Sequence, residues 1–174
     1  MKNPGKIVAV LGLAVLTAGL TAATAHDNDR HGRHEIVRAT LVGFNETPST
    51  LSSPATGKFW AEIDEDSGVI NFTLTYEGLA TAPLFSHIHL GQRHSTGGVM
   101  VFLCGGGGKP ACPAAQPAEV SGSIMAADVI GPTAQGITAG QFEKVLEAIR
   151  SGNAYANVHT TAYPSGEIRG QLSR

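Results

Sequence analysis

The sequence predicts a mainly β fold, an antiparallel Greek-key-like β-sandwich that carries one short α-helix. Three observations support this prediction. Short runs in which apolar and polar residues alternate recur along the chain, and turns rich in Gly and Pro separate them. Only one stretch has helical periodicity. Strict alternation is typical of antiparallel sheets that bury one face and expose the other.

The composition narrows the functions that need to be considered. The chain has 174 residues, of which 42% are hydrophobic and 15% are charged, so it is long enough for one domain with a substantial core. The low charge and the alternating runs exclude a disordered polyelectrolyte. The formal net charge is −2, and no stripe of Lys and Arg is present to meet phosphates. These features argue against a nucleic-acid partner.

Residues 1–25 are predicted to be a secretory signal peptide. Two lysines precede an apolar run at residues 7–20, and small residues precede a cleavage site after Ala25. A membrane anchor is the alternative interpretation, but the run is rather short to span a bilayer. No other segment is apolar enough to span a membrane, so no integral membrane segment is expected after processing. The mature protein, beginning at His26, is expected to be secreted or periplasmic.

The mature chain divides into a tail and one domain. Residues 26–35 are rich in His, have no apolar periodicity and are predicted to form a mobile tail. Residues 36–174 are predicted to form the domain. Its first three strands are indicated by alternation at residues 37–41, 59–63 and 70–76. The acidic run at residues 64–68 ends in Gly and predicts a hairpin turn between the second and third strands.

Five more strands and one helix are predicted in the second part of the chain. The strand signals lie at residues 86–90, 99–103, 119–126, 155–161 and 167–172. A turn is predicted at residues 163–166, between the last two strands. The helix is indicated by apolar residues at i, i+3, i+4 and i+7 from Phe142 to Ile149. Thr138 is expected to cap it, with Gln141 completing a capping box, and Gly152 is expected to end it.

The two cysteines, Cys104 and Cys112, bracket a glycine-rich loop. An oxidising compartment would allow them to form a disulfide that closes this short loop. A redox or metal-binding pair is the alternative, but the C-x-x-C spacing typical of such pairs is absent. The structural bridge is therefore the favoured interpretation.

The histidines are the main candidates for chemistry. His87 and His89 lie two residues apart on a predicted strand, so both imidazoles point to one face while Ile88 points to the core. His159 lies on a second predicted strand, and three imidazoles could converge on one ion if the strands are neighbours. His94, in the loop that follows, could be a fourth ligand. Imidazole ligands suit copper or zinc; alternatively, the rings are polar groups that bond to backbone and carboxylates.

Three more residues are candidates for supporting this site. Glu167 and Arg169 share a face of the last predicted strand and could bond His159 or anchor an anion beside the metal. An ordinary ion pair between the two is the alternative. Asn157 could support the site or hold the loop around Pro164.

His26 is a separate candidate. After cleavage at Ala25, its free α-amine and imidazole could chelate one Cu(II), with contributions from His31 and His34. The alternative is a solvated tail that attracts metal weakly, because a chelate without rigid support is adventitious.

Four segments together resemble the CHRD domain, a family first named in the extracellular signalling antagonist chordin. They are ATLVGFNETP at residues 39–48, SHIHLG at 86–91, NVHT at 157–160 and PSGEIRGQL at 164–172. The resemblance covers residues 35–173, nearly the whole mature chain. It implies an extracytoplasmic β-sandwich. It does not imply growth-factor antagonism, which belongs to a far larger multidomain protein.

A weaker resemblance is to copper/zinc superoxide dismutases, which are β-sandwiches with an H-x-H on one strand. The matching residues occur here in the same order: His87, His89, His94, His159 and Arg169. The loop between the second and third histidines is very short, however, and no His/Asp cluster for a zinc site is visible. The cysteine pair also lies elsewhere. This resemblance therefore implies a copper-type pocket more than it implies dismutation.

Three functions remain open on the sequence alone. The first is a secreted or periplasmic CHRD-domain protein that binds copper, or zinc, through a His cluster. The second is a non-catalytic extracytoplasmic module, either protein-binding or structural, in which the histidines form a buried polar network. The third is a copper-only dismutase-like enzyme in which Arg169 attracts the anion. The sequence identifies a metal ion as a partner but no particular protein partner.

Overall fold

The computed structural model describes residue 1 and residues 34–174. Nearly all of the predicted signal peptide, together with His26 and His31 of the predicted tail, lies outside the described residues. The elements are β1 (His34–Val42), β2 (Thr56–Asp64), β3 (Val69–Glu77), β4 (Pro83–Leu90), β5 (Val99–Cys104), β6 (Ala118–Ile124), α1 (Phe142–Arg150), β7 (Ala154–Thr160) and β8 (Ile168–Gln171). All eight predicted strands are therefore found, and the prediction of a mainly β fold with one helix is confirmed.

The eight strands form one antiparallel sheet. Their order is β5-β4-β7-β8-β1-β2-β3-β6. The end strands β5 and β6 also contact each other, so the sheet curls into a nearly closed, barrel-like shape. Because β7 is inserted between β4 and β8, strands that are far apart in sequence become neighbours.

One hydrophobic core fills the inside of the curled sheet. The alternating apolar residues of β1, β2 and β3 face inward, as with Leu41, Phe59 and Leu74, which are almost fully buried. The helix adds Val145 and Leu146 to the same core. Full burial of an aliphatic side chain of this size contributes about 1.5–3 kcal/mol, so the alternation accounts for much of the driving force for folding.

Helix α1 begins later than predicted. Gln141, not Thr138, is the residue before its first turn. The backbone N–H of Thr138 does donate to Oε1 of Gln141 at 2.8 Å, but Gly140 lies between them with a φ of +84°. This left-handed residue breaks the helical path and delays the start of the helix to Phe142. The predicted C-terminal stop at Gly152 is found, with a φ of +72°.

Two residues assigned to the predicted tail belong instead to β1. His34 and Glu35 pair with Asp64 and Ile63 of β2. Nδ1 of His34 lies 2.8 Å from a carboxylate oxygen of Glu62, so cross-strand contacts hold this end of the strand in the sheet.

The cysteine prediction agrees with the structure. The sulphur atoms of Cys104 and Cys112 are 1.98 Å apart, at the distance of a disulfide bond. The bridge joins the end of β5 to the chain beyond the glycine-rich loop.

Candidate metal centre

The site is built on the neighbouring strands β4 and β7. Their register places Phe85 opposite His159, His87 opposite Asn157, and His89 opposite Tyr155. Directly opposed residues of antiparallel strands point to the same face, so the imidazoles of both strands share one face of the sheet. Ile88 lies in the hydrophobic core on the other face, as the H-x-H spacing predicts.

The predicted convergence of three imidazoles is found. His87, His89 and His159 each offer one nitrogen, and these three atoms lie within 4.8 Å of one another, a group that could hold a metal ion. Nδ1 of His87 is 3.3 Å from Nε2 of His159. All three side chains are buried, with 5–7% of their surface exposed. We call these three residues the His cluster.

Two backbone carbonyls fix the orientation of two of the rings. Nδ1 of His89 lies 2.9 Å from the carbonyl oxygen of Gly97, and Nδ1 of His159 lies 2.9 Å from that of Pro164. A carbonyl oxygen only accepts, so each Nδ1 carries the proton and donates it. In the neutral ring, Nε2 then carries a lone pair, which is the arrangement of a metal-binding imidazole oriented by a carbonyl.

The three imidazoles are held in the neutral form. Burial lowers the pKa of His87 to about 3, assisted by the charges that His159 and His89 would carry when protonated. Burial also lowers the pKa of His89 to about 4 and lowers the pKa of His159. A metal ion entering the cluster at neutral pH would therefore not have to displace a second proton from these rings.

One nitrogen of the cluster is poorly satisfied. Nε2 of His89 is buried and makes no hydrogen bond of normal geometry among the described residues; the side chain that interacts with this imidazole is Asn157, whose Oδ1 is likewise unpartnered. Most buried polar side-chain atoms in proteins do have partners, so an orphaned lone pair requires an explanation. Its position inside a three-imidazole cluster supplies one, because a metal ion would satisfy it.

Aromatic rings form the wall of the cluster. The ring centroid of His87 lies 4.9 Å from that of Phe85 and 4.3 Å from that of Phe102. The ring of Tyr155 stacks on His89 at 4.7 Å. These rings exclude water from one side of the cluster and lower its polarity, which explains the lowered pKa values of the histidines.

Arg169 has a different role from the one predicted. Its guanidinium carbon lies 3.4 Å from the centroid of the Tyr155 ring. Its nitrogens donate to the hydroxyl of Thr47 and to the carbonyl oxygens of Ser95 at 2.7 Å and Gln92 at 2.9 Å. Arg169 is thus a buried clamp that ties two loops to β8. In the part of the chain that the structure describes, Arg169 forms no bond to His159 or to Glu167.

Glu167 also has partners other than those predicted. It is fully buried, and its oxygens accept hydrogen bonds from the hydroxyls of Ser53 and Thr160, both at 2.8 Å, and from the backbone N–H of Ala80 at 2.9 Å. The predicted bond to His159 is absent because Pro164 already accepts from that ring. Glu167 joins loops that are distant in sequence.

The remaining candidates lie in three different places. Oδ1 of Asn157 is buried without a hydrogen-bond partner, on the face that carries the His cluster. The Pro164 loop is held by the ring of His159 and not by Asn157. His94 is exposed in the loop after β4 and is not a member of the cluster, so its prediction as a fourth ligand is wrong for this structure. His26 lies outside the described residues.

Sequence reasoning did not identify two residues near the site. Tyr155 could have been found, because it lies on the strand of His159 at an even spacing and so points to the same face. Glu46 gave no such signal. It is buried beside Arg169, and burial raises its pKa to about 7 in spite of the opposing effect of that cation. Only the folded chain brings this carboxyl, from the segment after β1, next to β8.

Comparison with known protein families identifies the class of the fold and the site. The family model for the CHRD domain matches residues 37–172, which is most of the chain and includes every residue of the His cluster. The protein therefore belongs to the CHRD domain family. Comparisons with curated proteins and with solved structures found no significant match. Among the described residues, no helix is both long and apolar enough to cross a membrane.

Proposed function

We propose that this protein is a secreted or periplasmic copper-binding protein that holds its ion with His87, His89 and His159. The observation that carries the proposal is the convergence of three buried, neutral imidazoles, whose nitrogens lie within 4.8 Å of one another. The extracytoplasmic location is supported by the predicted signal peptide, by the disulfide and by the family.

The donor set fits a metal ion of intermediate softness. Carbonyl partners leave Nε2 available on His89 and on His159. Nδ1 of His87 already approaches Nε2 of His159 at 3.3 Å. In the metal-free protein Nδ1 of His87 can donate its proton to Nε2 of His159. A metal ion bound at Nδ1 of His87 would require that proton to move to Nε2 of the same ring.

Copper is favoured over zinc for two reasons. The cluster contains neither thiolate nor carboxylate, and for a given set of nitrogen ligands Cu(II) binds more tightly than Zn(II). The disulfide indicates an oxidising compartment, in which copper is expected as Cu(II). When bound, copper would supply either a transportable ion or one-electron chemistry.

Neither alternative function explains the site as well. In a purely structural module the Asn157 amide could serve Nε2 of His89, but nothing would require three imidazole nitrogens to converge within 4.8 Å of one another. For a dismutase, Arg169 should present its guanidinium to an incoming anion. Instead its nitrogens bind Thr47, Ser95 and Gln92, which favours binding over dismutation.

The decisive variants are His89→Asn and His159→Asn. An asparagine amide nitrogen can replace Nδ1 as the donor to Gly97 or Pro164 while the ligand atom Nε2 is lost. The measurement is Cu(II) affinity of the mature protein by chelator competition, with thermal unfolding of the metal-free protein as a check on folding. Each variant should bind copper about a hundredfold more weakly or worse, because loss of a ligand costs at least as much as loss of its supporting partner.

His94→Asn is the matched control, because it removes an exposed imidazole near the site but outside the cluster. His94→Asn should leave copper affinity unchanged. Any copper bound by the tail contributes equally in every variant, because the tail is identical in all of them. If the cluster variants fold and bind copper as tightly as the wild type, the proposal is wrong. Equal affinity for zinc and copper in the wild type would overturn the choice of metal.

A further inference from the structure

A second candidate site lies on the outer face of the sheet and contains no residue of the His cluster. It is a groove of about 570 Å³ that crosses β1 and β2 and reaches the C-terminal segment and the loop after β4. We call it the Trp60 groove and define it by the residues that matter to the argument: Arg38, Thr40, Lys58, Trp60, Arg93 and Gln171.

Strand register builds the floor of the groove. Arg38 on β1 lies directly opposite Trp60 on β2, and Thr40 lies directly opposite Lys58. Because alternate residues of a strand share a face, these four side chains all point outward. Trp60 is the only tryptophan in the chain and is 37% exposed. A flat aromatic ring is therefore flanked by two cations on a wide polar surface.

The distribution of cations distinguishes this groove from the rest of the surface. Of the described Lys and Arg side chains, those outside the groove are engaged: Lys109, Lys144, Arg150 and Arg174 in ion pairs, and Arg169 in hydrogen bonds to its loops. The others, Arg38, Lys58 and Arg93, make no ion pair or side-chain hydrogen bond to any described residue, and all line the groove.

The groove also lacks compensating negative charge. None of the residues that line it is acidic, although the chain as a whole has a net charge of −2. Burial lowers the pKa of Arg169, and the nearby cation of Arg93 adds to this lowering. Unpaired cations gathered against an overall negative charge produce a local positive potential that favours an anionic ligand.

The groove offers hydrogen-bonding groups besides its charges. Oε1 of Gln171 is buried and has no hydrogen-bond partner, although Nε2 of the same side chain donates to the carbonyl oxygens of Gly91 and Gly152 at 2.9 and 2.8 Å. That oxygen lies below the surface, whereas the hydroxyl of Thr40 is exposed and can donate to a ligand or accept from it.

We propose that the Trp60 groove binds an acidic polysaccharide, a chain of sugars that carry carboxylates. The ring of Trp60 would stack on the apolar face of one sugar. Arg38, Lys58 and Arg93 would bind the carboxylates, and the sugar hydroxyls would meet Thr40. A nucleic acid fits less well, because three cations around one aromatic ring do not form the long basic track that a phosphate backbone requires.

The test is the binding of polygalacturonate to the mature protein, measured by calorimetry at low salt with EDTA present. EDTA removes any metal that could bridge the polymer to the His cluster. Two further polymers separate the contributions: dextran is a neutral sugar, and poly-L-glutamate is a carboxylate polymer without sugar. Polygalacturonate should bind, more weakly as salt increases, and both other polymers should bind at least about tenfold more weakly.

Matched variants localise the binding. Trp60→Ala and the double variant Arg38→Gln/Lys58→Gln should each weaken it about tenfold or more. Phe44→Ala, which removes another exposed aromatic ring, and Lys144→Gln, which removes a cation on α1, should not. All five positions are exposed, so the fold should be retained. The proposal is overturned if the groove variants bind like the controls, or if poly-L-glutamate or single-stranded DNA binds as tightly as polygalacturonate.

Discussion

The imidazole of His89 and the ring of Tyr155 lie face to face, with their centroids 4.7 Å apart and their planes within 1° of parallel. The two residues are directly opposed on β4 and β7. Arg169 packs over the same tyrosine ring, 3.4 Å from its centroid. The ring of Tyr155 therefore supports the imidazole of His89, and the buried cation of Arg169 supports the ring of Tyr155.

Replacement of Tyr155 by Leu should weaken copper binding at the His cluster. The leucine removes the flat surface that orients His89, and loss of a supporting contact typically lowers metal affinity about tenfold or more. Tyr155→Phe is the control. It keeps the ring and loses only the hydroxyl, which accepts from the N–H of Gly97 at 3.2 Å, so its affinity should stay within about threefold of the wild type. Chelator competition measures both, and equal affinity in Tyr155→Leu and the wild type would contradict a positioning role.

The metal-free protein should lose stability as the pH falls below about 6.5. The pKa of His87 is lowered to about 3 and that of His89 to about 4, while the unfolded chain keeps the ordinary value. At pH values between the folded-state and unfolded-state pKa, the histidines of the unfolded chain bind protons and those of the folded protein do not. The free energy of unfolding therefore falls as the pH falls. Each such histidine should cost about 2 kcal/mol between pH 7 and pH 5.

Urea unfolding at pH 7 and pH 5, in the presence of a chelator, measures this loss. In His87→Gln the difference between the two pH values should shrink, because one suppressed titration is removed. His94→Gln, at an exposed position, should retain the wild-type difference. A His87→Gln variant with the full wild-type difference would show that this imidazole is not held neutral by burial. The comparison cancels the titration of Glu46, which has the opposite sign in this pH range in both proteins.

Local patterns in the sequence predict the strands and part of the site. Alternation identifies β1, β2 and β3 because it reflects which face of each strand is buried, whereas β7, buried along its whole length, is found from its composition. The same rule places His87 and His89 on one face. It does not place His159 beside them, because that requires β7 to insert between β4 and β8. Strand order depends on contacts between distant segments, which no short pattern in the chain encodes.

The supporting contacts of the site could not be predicted, for a related reason. The sequence allows Glu167 and Arg169 to contact His159, to anchor an anion or to pair with each other, yet most of their partners come from loops far away in the sequence. The ring of His159 is held instead by the carbonyl of Pro164, five residues away. Every residue has a backbone carbonyl, so no residue type marks the one that will accept.

Glu46→Gln should stabilise the protein at alkaline pH. Burial raises the pKa of Glu46 to about 7, and its Oε1 is buried without a hydrogen-bond partner. The folded state therefore retains a proton that the unfolded state has released, and stability declines as the pH rises from about 4.5 to about 7. A neutral glutamine avoids this decline and should add about 3 kcal/mol at pH 8, and less than about 1 kcal/mol at pH 5.

Urea unfolding at both pH values tests the Glu46 prediction. Glu77→Gln, which removes an exposed carboxylate on β3, is the control and should change stability by less than about 0.5 kcal/mol at either pH. A destabilised Glu46→Gln protein at pH 8 would mean that the ionised carboxylate gains more from Arg169 than it loses by burial.

Glu167→Gln should destabilise the fold while leaving copper affinity nearly unchanged. The carboxylate accepts from Ser53, Ala80 and Thr160, and an amide in its place would turn a donor toward at least one of these donors. An unsatisfied buried donor costs about 1–3 kcal/mol, so a loss of that size is expected in urea unfolding. Because no hydrogen bond joins Glu167 to the cluster, copper affinity of the folded variant should stay within about threefold of the wild type. A drop as large as that of His159→Asn would instead show that Glu167 controls His159, as its proximity in sequence suggests.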